Sequence, residues 1–426
     1  MHRLAALPGD PGEGDAVLVE QESLPALVLS HADSDLSLIA QRLSAAGDPA
    51  WMRGLNLAAL SHPAAIDHYI RSSLASTRLV VVRLLGGRGH WSYGLEQLRE
   101  WAAQSPQRAL LVLGGTADGA EELADLSSEP ATTALALASC LRHGGPDNID
   151  AVLLWCQRWL AGAAPSAPEP QPQPDPLCFD WQTDDGPTVG VVAYRALWSS
   201  GDTAMLQEIA ACLRRAGLCP RILLVSGLRD PALQQAVRDH FCQAAVEAVI
   251  CCTGFASVQA DRAGDGAPLW QQLGVPVIQL LISSGSQQRW QSSSVGLSPL
   301  DLAMQVALPE LDGRLMARIG GFKELATRDD ALQCAIQRYQ PDPAGVAWSV
   351  ELTKRWIALR HTPEPTKRIA LVLANYPTRN ARLANGVGLD TPASAVAILQ
   401  WLQQEGYWLG EDPIPATSAE LIAALS

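Results

Sequence analysis

The sequence predicts an α/β protein built of successive doubly wound parallel-sheet, flavodoxin-like domains, the last one incomplete. Three observations predict it. Short continuous apolar runs recur along the chain and are bounded by turn residues, as in strands buried on both faces. Between them lie stretches with apolar residues at helical spacing, giving a βαβα rhythm. Two proline-bearing segments then divide that rhythm into three sets.

The first set has strand-like runs at Ala26 to Leu29, Leu79 to Leu85 and Ala109 to Leu113. Helical stretches fall at Leu36 to Leu43, Pro63 to Leu74 and Tyr93 to Ala103. Residues 1–162 are therefore expected to form a first α/β domain. Ala163 to Pro176 has proline at nearly every second position in its second half, which keeps a chain extended and without a core, so residues 163–187 are expected to be a linker. The second set, residues 188–361, has strands at Val189 to Tyr194, Ile222 to Ser226, Ala248 to Thr253 and Val275 to Ile282. The helix after Asp202 shows Leu206, Ile209, Ala210 and Leu213 on one face, with Asp202 as its cap and Gly217 as its stop. Ala331 to Leu359 is expected to be mostly helical, and Thr362 to Pro365 is a second short linker. In the third set, residues 362–426, Ile369 to Ala374 reads as a buried strand. A polar loop follows, then a helix capped by Thr391 with Pro392 at its first position, Val396, Leu399 and Leu402 on one face, and Gly406 at its end. One strand and two helices make an α/β layer that lacks neighbours, so the chain is expected to be the front portion of a longer protein.

Composition narrows the function. With 31 basic and 44 acidic residues among 426, the net charge is −13, which argues against general binding to a nucleic-acid backbone. No apolar run approaches the roughly 18 residues of a membrane helix. The nine cysteines form no C-x-x-C pair and read as buried, reduced, small hydrophobes, which points to a cytoplasmic location. No Walker lysine follows the Gly86, Gly87, Gly89 turn, so nucleotide binding there is not expected. His90 and Trp91 in that turn are either solvent-facing or suited to stacking on a planar ring. His31, His62 and His68 show no ligand spacing, and no metal ligands are identified.

Two segments hold residues with chemistry. In Glu310 to Arg314, the carboxylates of Glu310 and Asp312 share one side if the segment is extended, and Arg314 continues the row. Such a pair suits a metal or a proton; the plainer alternative is an ion pair to Arg314. In the loop after Ala374, Arg379 and Arg382 suit bidentate carboxylate binding, and Asn385, Gly386 and Gly388 suit an anion-binding nest or simply a turn. Asp390 is a candidate base or a helix-start acid. In a parallel sheet such a loop leaves the carboxyl end of a strand, where ligands usually bind.

Asn375 to Ser394, NYPTRNARLANGVGLDTPAS, resembles the signature run of the cobaltochelatase large subunit, the CobN family. Four further stretches are similar in family order: Leu29 to Leu36 (LSHADSDL), Arg83 to Leu95 (RLLGGRGHWSYGL), Gly190 to Thr203 (GVVAYRALWSSGDT) and Gly296 to Arg314, which ends in PELDGR. The related magnesium chelatase large subunit shares P-E-L-D-G but has a P-P-D-K-G-N loop absent here, so cobalt is favoured over magnesium. Ala381 departs from the pattern where glycine is common, which affects only local backbone freedom. The resemblance implies a ligase that forms nitrogen–metal bonds, inserting Co²⁺ into hydrogenobyrinic acid a,c-diamide in cobalamin biosynthesis. It implies that ATP is hydrolysed by separate AAA+-type partner subunits and not bound by this chain, and that this portion alone is inactive. The resemblance strengthens the reading of Arg379 and Arg382 as substrate-binding residues, with Asn380, Asn385, Gly386 and Gly388 beside them. Glu310, Asp312 and Asp390 are catalytic candidates on their residue chemistry, and the P-E-L-D-G shared with the magnesium branch suits a structural role as well. The alternatives are a non-catalytic tetrapyrrole-binding or scaffold module, or a magnesium chelatase large subunit.

Overall fold

The computed structural model describes residues 18–47, 50–117, 119–257, 269–374 and 388–425. It divides into two compact units, Met1–Glu351 and Leu352–Ser426. The expected boundaries at residues 162 and 187 therefore fall inside the first unit.

The first sheet has strands β1 (Ala26–Ser30), β2 (Met52–Asn56), β3 (Leu79–Leu84) and β4 (Ala109–Gly114) in the order β2-β1-β3-β4, all parallel. The runs of β1, β3 and β4 are buried at every position, as strands covered on both faces must be. Strand β2, MRGLN, was not expected, because Arg53 and Asn56 interrupt its apolar pattern. Arg53 is nonetheless 5% exposed, with its guanidinium donating to Glu22 at 2.6 Å and to the Ala331 carbonyl at 2.8 Å.

The second sheet has seven strands. They are β5 (Leu177–Asp180), β6 (Thr188–Tyr194), β7 (Cys219–Val225), β8 (Ala248–Cys251), β9 (Val277–Ser283), β10 (Leu315–Arg328) and β11 (Ala335–Pro341). The order is β11-β10-β9-β8-β6-β7-β5, with the five inner strands parallel and the edge strands β5 and β11 antiparallel. Strand β5 lies inside the expected linker, because its backbone completes the open edge of β7. The expected helical region from Ala331 holds β11 first, and the helix there spans Pro343–His361. Ile336 is buried while Ala335 is exposed, so the segment serves as an edge strand rather than a helix face.

The β10–β11 hairpin joins the two sheets. Leu332, Cys334 and Ile336 pack into the core of the first sheet with Leu36, Met52 and Tyr69. The Leu332 carbonyl accepts from Gly54 N at 3.1 Å and from Gln21 Nε2 at 3.0 Å. Asp202 was expected to cap the following helix. That helix runs Ala204–Arg215 from Thr203, without a side-chain cap. The Asp202 carboxylate instead accepts from the Tyr339 backbone N at 2.9 Å, which holds β11.

In the second unit, helices Thr391–Gln404 and Ser418–Leu425 pack through Ala395, Val396 and Leu421, with Leu373 and Leu399 against them. The expected strand Ile369 to Ala374 is not a strand: residues 367–374 have no regular structure, and Ile369 and Val372 are 56% and 87% exposed. A strand is made by its ladder partners, and this run has none among the described residues. Among the described residues, no helix is long and apolar enough to cross a membrane.

Candidate functional site

In both sheets the chain reverses direction of travel after its first inner strand, at β1/β3 and at β6/β8. Loops leaving the carboxyl ends of strands at such points form crevices where ligands bind.

At the second of these, the loop 252–257 leaves β8. Tyr194, at the end of β6, donates its hydroxyl to the Gly254 carbonyl at 3.0 Å. Burial pushes the Tyr194 phenol up to about 12, so it stays a neutral donor. The Phe255 N donates to the Met304 carbonyl at 2.8 Å. Arg314 locks this loop from below. Its Nη1 donates to the Thr253 carbonyl and to Gln279 Oε1, both at 2.9 Å, and its Nη2 donates to the Phe255 carbonyl at 3.0 Å. Asp312 faces it at 2.5 Å and also accepts from the Ser257 backbone N at 2.8 Å and from Trp270 Nε1 at 3.3 Å. Both side chains are 0% exposed.

This corrects the extended geometry expected of Glu310 to Arg314. Leu308–Glu310 is a helical turn, residues 311–313 form a turn, and Gly313 has φ of 71°. Glu310 is thereby exposed while Asp312 is enclosed, so the two carboxylates do not form a row. Asp312 accepts on its oxygens from Arg314, Ser257 and Trp270. Its chemistry is that of an anion fixing the loop after β8.

In the second unit, Gly388 has φ of 76°, the left-handed region that favours glycine. Asp390, not Thr391, is the helix cap: its Oδ1 accepts from Ala393 N at 3.0 Å, and Pro392 follows inside the first turn. Asp390→Ala is expected to cost about 1 kcal/mol of local helix stability, as for other lost caps, read as faster amide exchange over residues 391–395. Arg379, Asn380, Arg382, Asn385 and Gly386 lie outside the described residues.

The glycine turn after β3 differs from either expectation in one respect. Trp91 is 7% exposed and donates its Nε1 to the Leu60 carbonyl at 2.8 Å, so it is a core residue and not a stacking surface. His90 folds back onto the turn: a Cβ on Gly86, at φ 112°, would lie 2.7 Å from its ring. Burial and neighbouring His90 together hold the His31 pKa below the usual imidazole value. Asp35 and Arg142 sit on the same carboxyl edge; the A-D-S-D stretch contains Asp35, but its pairing with Arg83 is visible only in the fold. No group of three or more His, Cys, Asp or Glu is arranged to hold a metal ion among the described residues.

The family described as CobN/Magnesium Chelatase matches residues 138–426. The chain is 33% identical to the aerobic cobaltochelatase subunit CobN of a Sinorhizobium species and 35% identical to that of Pseudomonas aeruginosa, in each case over 100% of this chain and 35% of the relative. It thus spans about a third of the length of these curated relatives. Among solved structures, the catalytic subunit of cobaltochelatase from Mycobacterium tuberculosis superposes with a TM-score of 0.74 at 28% identity, over 94% of this chain and 32% of that one.

Proposed function

The chain belongs to the CobN/magnesium chelatase family, and we propose that it works within the large, substrate-binding subunit of an ATP-dependent cobaltochelatase that inserts Co²⁺ into hydrogenobyrinic acid a,c-diamide. The observation that carries this is the run Asn375 to Ser394, within a chain similar along its whole length to two CobN subunits. Cobalt is a substrate here, and ATP is consumed by AAA+-type partner subunits in the cytoplasm.

Metal insertion requires that the ring be held by its peripheral carboxylates, that the inner N–H protons leave, and that the metal be delivered through transient ligands. In this scheme Arg379 and Arg382 pair with ring carboxylates, with Asn380, Asn385, Gly386 and Gly388 supplying further donors and a backbone cradle. Asp390, whose carboxylate caps the helix, and Glu310 at the exposed turn are the carboxylates proposed to act on protons. Asp312 acts through the loop it positions.

The saturation of Asp312 favours a second reading, in which this portion binds or presents the ring while the chemistry is done elsewhere in the subunit. One experiment separates the two. The chain and the complete subunit are each mixed with the metal-free corrinoid, Co²⁺, the ATPase partners and ATP, and the corrinoid spectrum is followed. The complete subunit is expected to give the spectrum of the cobalt product, and this chain alone only a binding shift. Cobalt product from the chain alone would remove the presenting-module reading, and no shift with the complete subunit would remove both.

A further inference from the structure

We infer that the carboxyl end of the first sheet is a binding site for a small oxyanion, a carboxylate or a phosphate group, held between Arg83 and Arg142.

The fold brings these two guanidinium groups together. Arg83 is the penultimate residue of β3, opposite Ser30 of β1 and Leu113 of β4. Arg142, in the last turn of helix Ala131–His143, reaches the end of β4, where its Nη1 approaches the Gly114 carbonyl at 3.4 Å. Gly114 pairs with Leu84, the residue after Arg83, so both arginines converge at the ends of neighbouring strands. This is also the place where the strand order reverses.

The local ion pairing is incomplete. Arg83 is 7% exposed and pairs with Asp35, while its Nε has no hydrogen-bond partner. Asp35 already accepts from the Ser30 hydroxyl at 2.6 Å. Asp33, nearby on the same helix, accepts from Asn56 Nδ2 at 2.7 Å. Arg142 has no carboxylate partner among the described residues, so Asp35 pairs with only one of the two guanidinium groups. His31 and the exposed Arg88 and His90 add donors and no negative charge. Burial and the nearby Arg83 also depress the Arg142 pKa, which a bound anion would reverse. In a chain of net charge −13, a half-buried cationic cluster of this kind has a specific counter-ion to gain.

An oxyanion is the ligand class that fits: compact, able to accept from a planar fork, and able to bridge two guanidinium groups. The site stands apart from the chelatase reading, because cobalt insertion tests that reading without reference to Arg142.

The test is calorimetric titration of the chain with inorganic phosphate and, separately, with succinate. Binding of either is expected, with the affinity falling as sodium chloride is raised. Which anion binds more tightly distinguishes a phosphate ligand from a carboxylate one. Arg142→Gln leaves the Arg83–Asp35 pair intact and is expected to keep the circular dichroism spectrum while weakening the anion at least tenfold; Arg142→Lys is expected to restore part of the affinity. No heat from either anion at millimolar concentration, or affinity unchanged in a folded Arg142→Gln chain, would overturn the inference.

Discussion

Arg314→Ala is expected to destabilise the first unit by about 3–5 kcal/mol, the range for breaking a buried ion pair by removing one partner. The substitution does three things together. It leaves the Asp312 carboxylate fully enclosed with its countercharge gone. It strips donors from the Thr253 and Phe255 carbonyls and from Gln279, all on or beneath the loop after β8. It also removes a cation from 5.4 Å above the Trp270 ring. Urea unfolding of the chain, followed by circular dichroism, measures the loss, and a loss under about 1 kcal/mol would show that Asp312 finds solvent or other donors. The lesion is an orphaned charge more than a lost attraction. Replacing both partners by apolar residues, Asp312→Leu with Arg314→Met, is therefore expected to cost less than Arg314→Ala alone. Arg314→Lys should fall between, because an ammonium group reaches one or two of these acceptors but not the whole fork.

Much of the sheet architecture was legible in the sequence because buried parallel strands must be apolar at consecutive positions. β1, β3, β4, β6, β8 and β9 are all such runs. Two of the strands that escaped notice, β2 and β11, depend on partners far away in sequence. Arg53 of β2 is buried through a carbonyl 278 residues later, and β11 through its docking beside the first sheet's core. The same reasoning covers Asp202. A Gly-Asp-Thr turn before a helix is a good local cap, but the backbone N–H of Tyr339, 137 residues on, holds its carboxylate instead. At the candidate site, the residue types in PELDGR were legible as an ion pair or a carboxylate pair. Which one depends on whether the backbone is extended or turned, and Gly313 at positive φ settles it as a turn. Ile369 to Ala374 shows the opposite failure: its pattern is that of a buried strand, but a pattern supplies no ladder partner.

Replacing Arg379 and Arg382 together by alanine in the complete subunit is expected to weaken corrinoid binding by about a hundredfold or more, with unfolding unchanged. The magnitude follows from the chemistry proposed for them. A hydrogen bond to a charged group is worth about 1.5–3 kcal/mol, and each 1.4 kcal/mol is a factor of ten, so losing two guanidinium–carboxylate contacts removes at least two decades of affinity. Stability is expected to hold, because the stretch containing them is polar and glycine-bearing, while among the described residues the two helices that follow it pack through Ala395, Val396 and Leu421. Absorbance titration of the metal-free corrinoid measures the first quantity and thermal unfolding the second. Single changes to lysine are expected to give intermediate losses, since a point charge keeps the attraction and loses the bidentate geometry. If the double variant binds the ring as tightly as the parent subunit, the arginines are not substrate contacts, and the anchor for the ring carboxylates must be sought on other elements of the subunit. If binding falls and the melting temperature falls with it, the two arginines hold the loop and not the ligand.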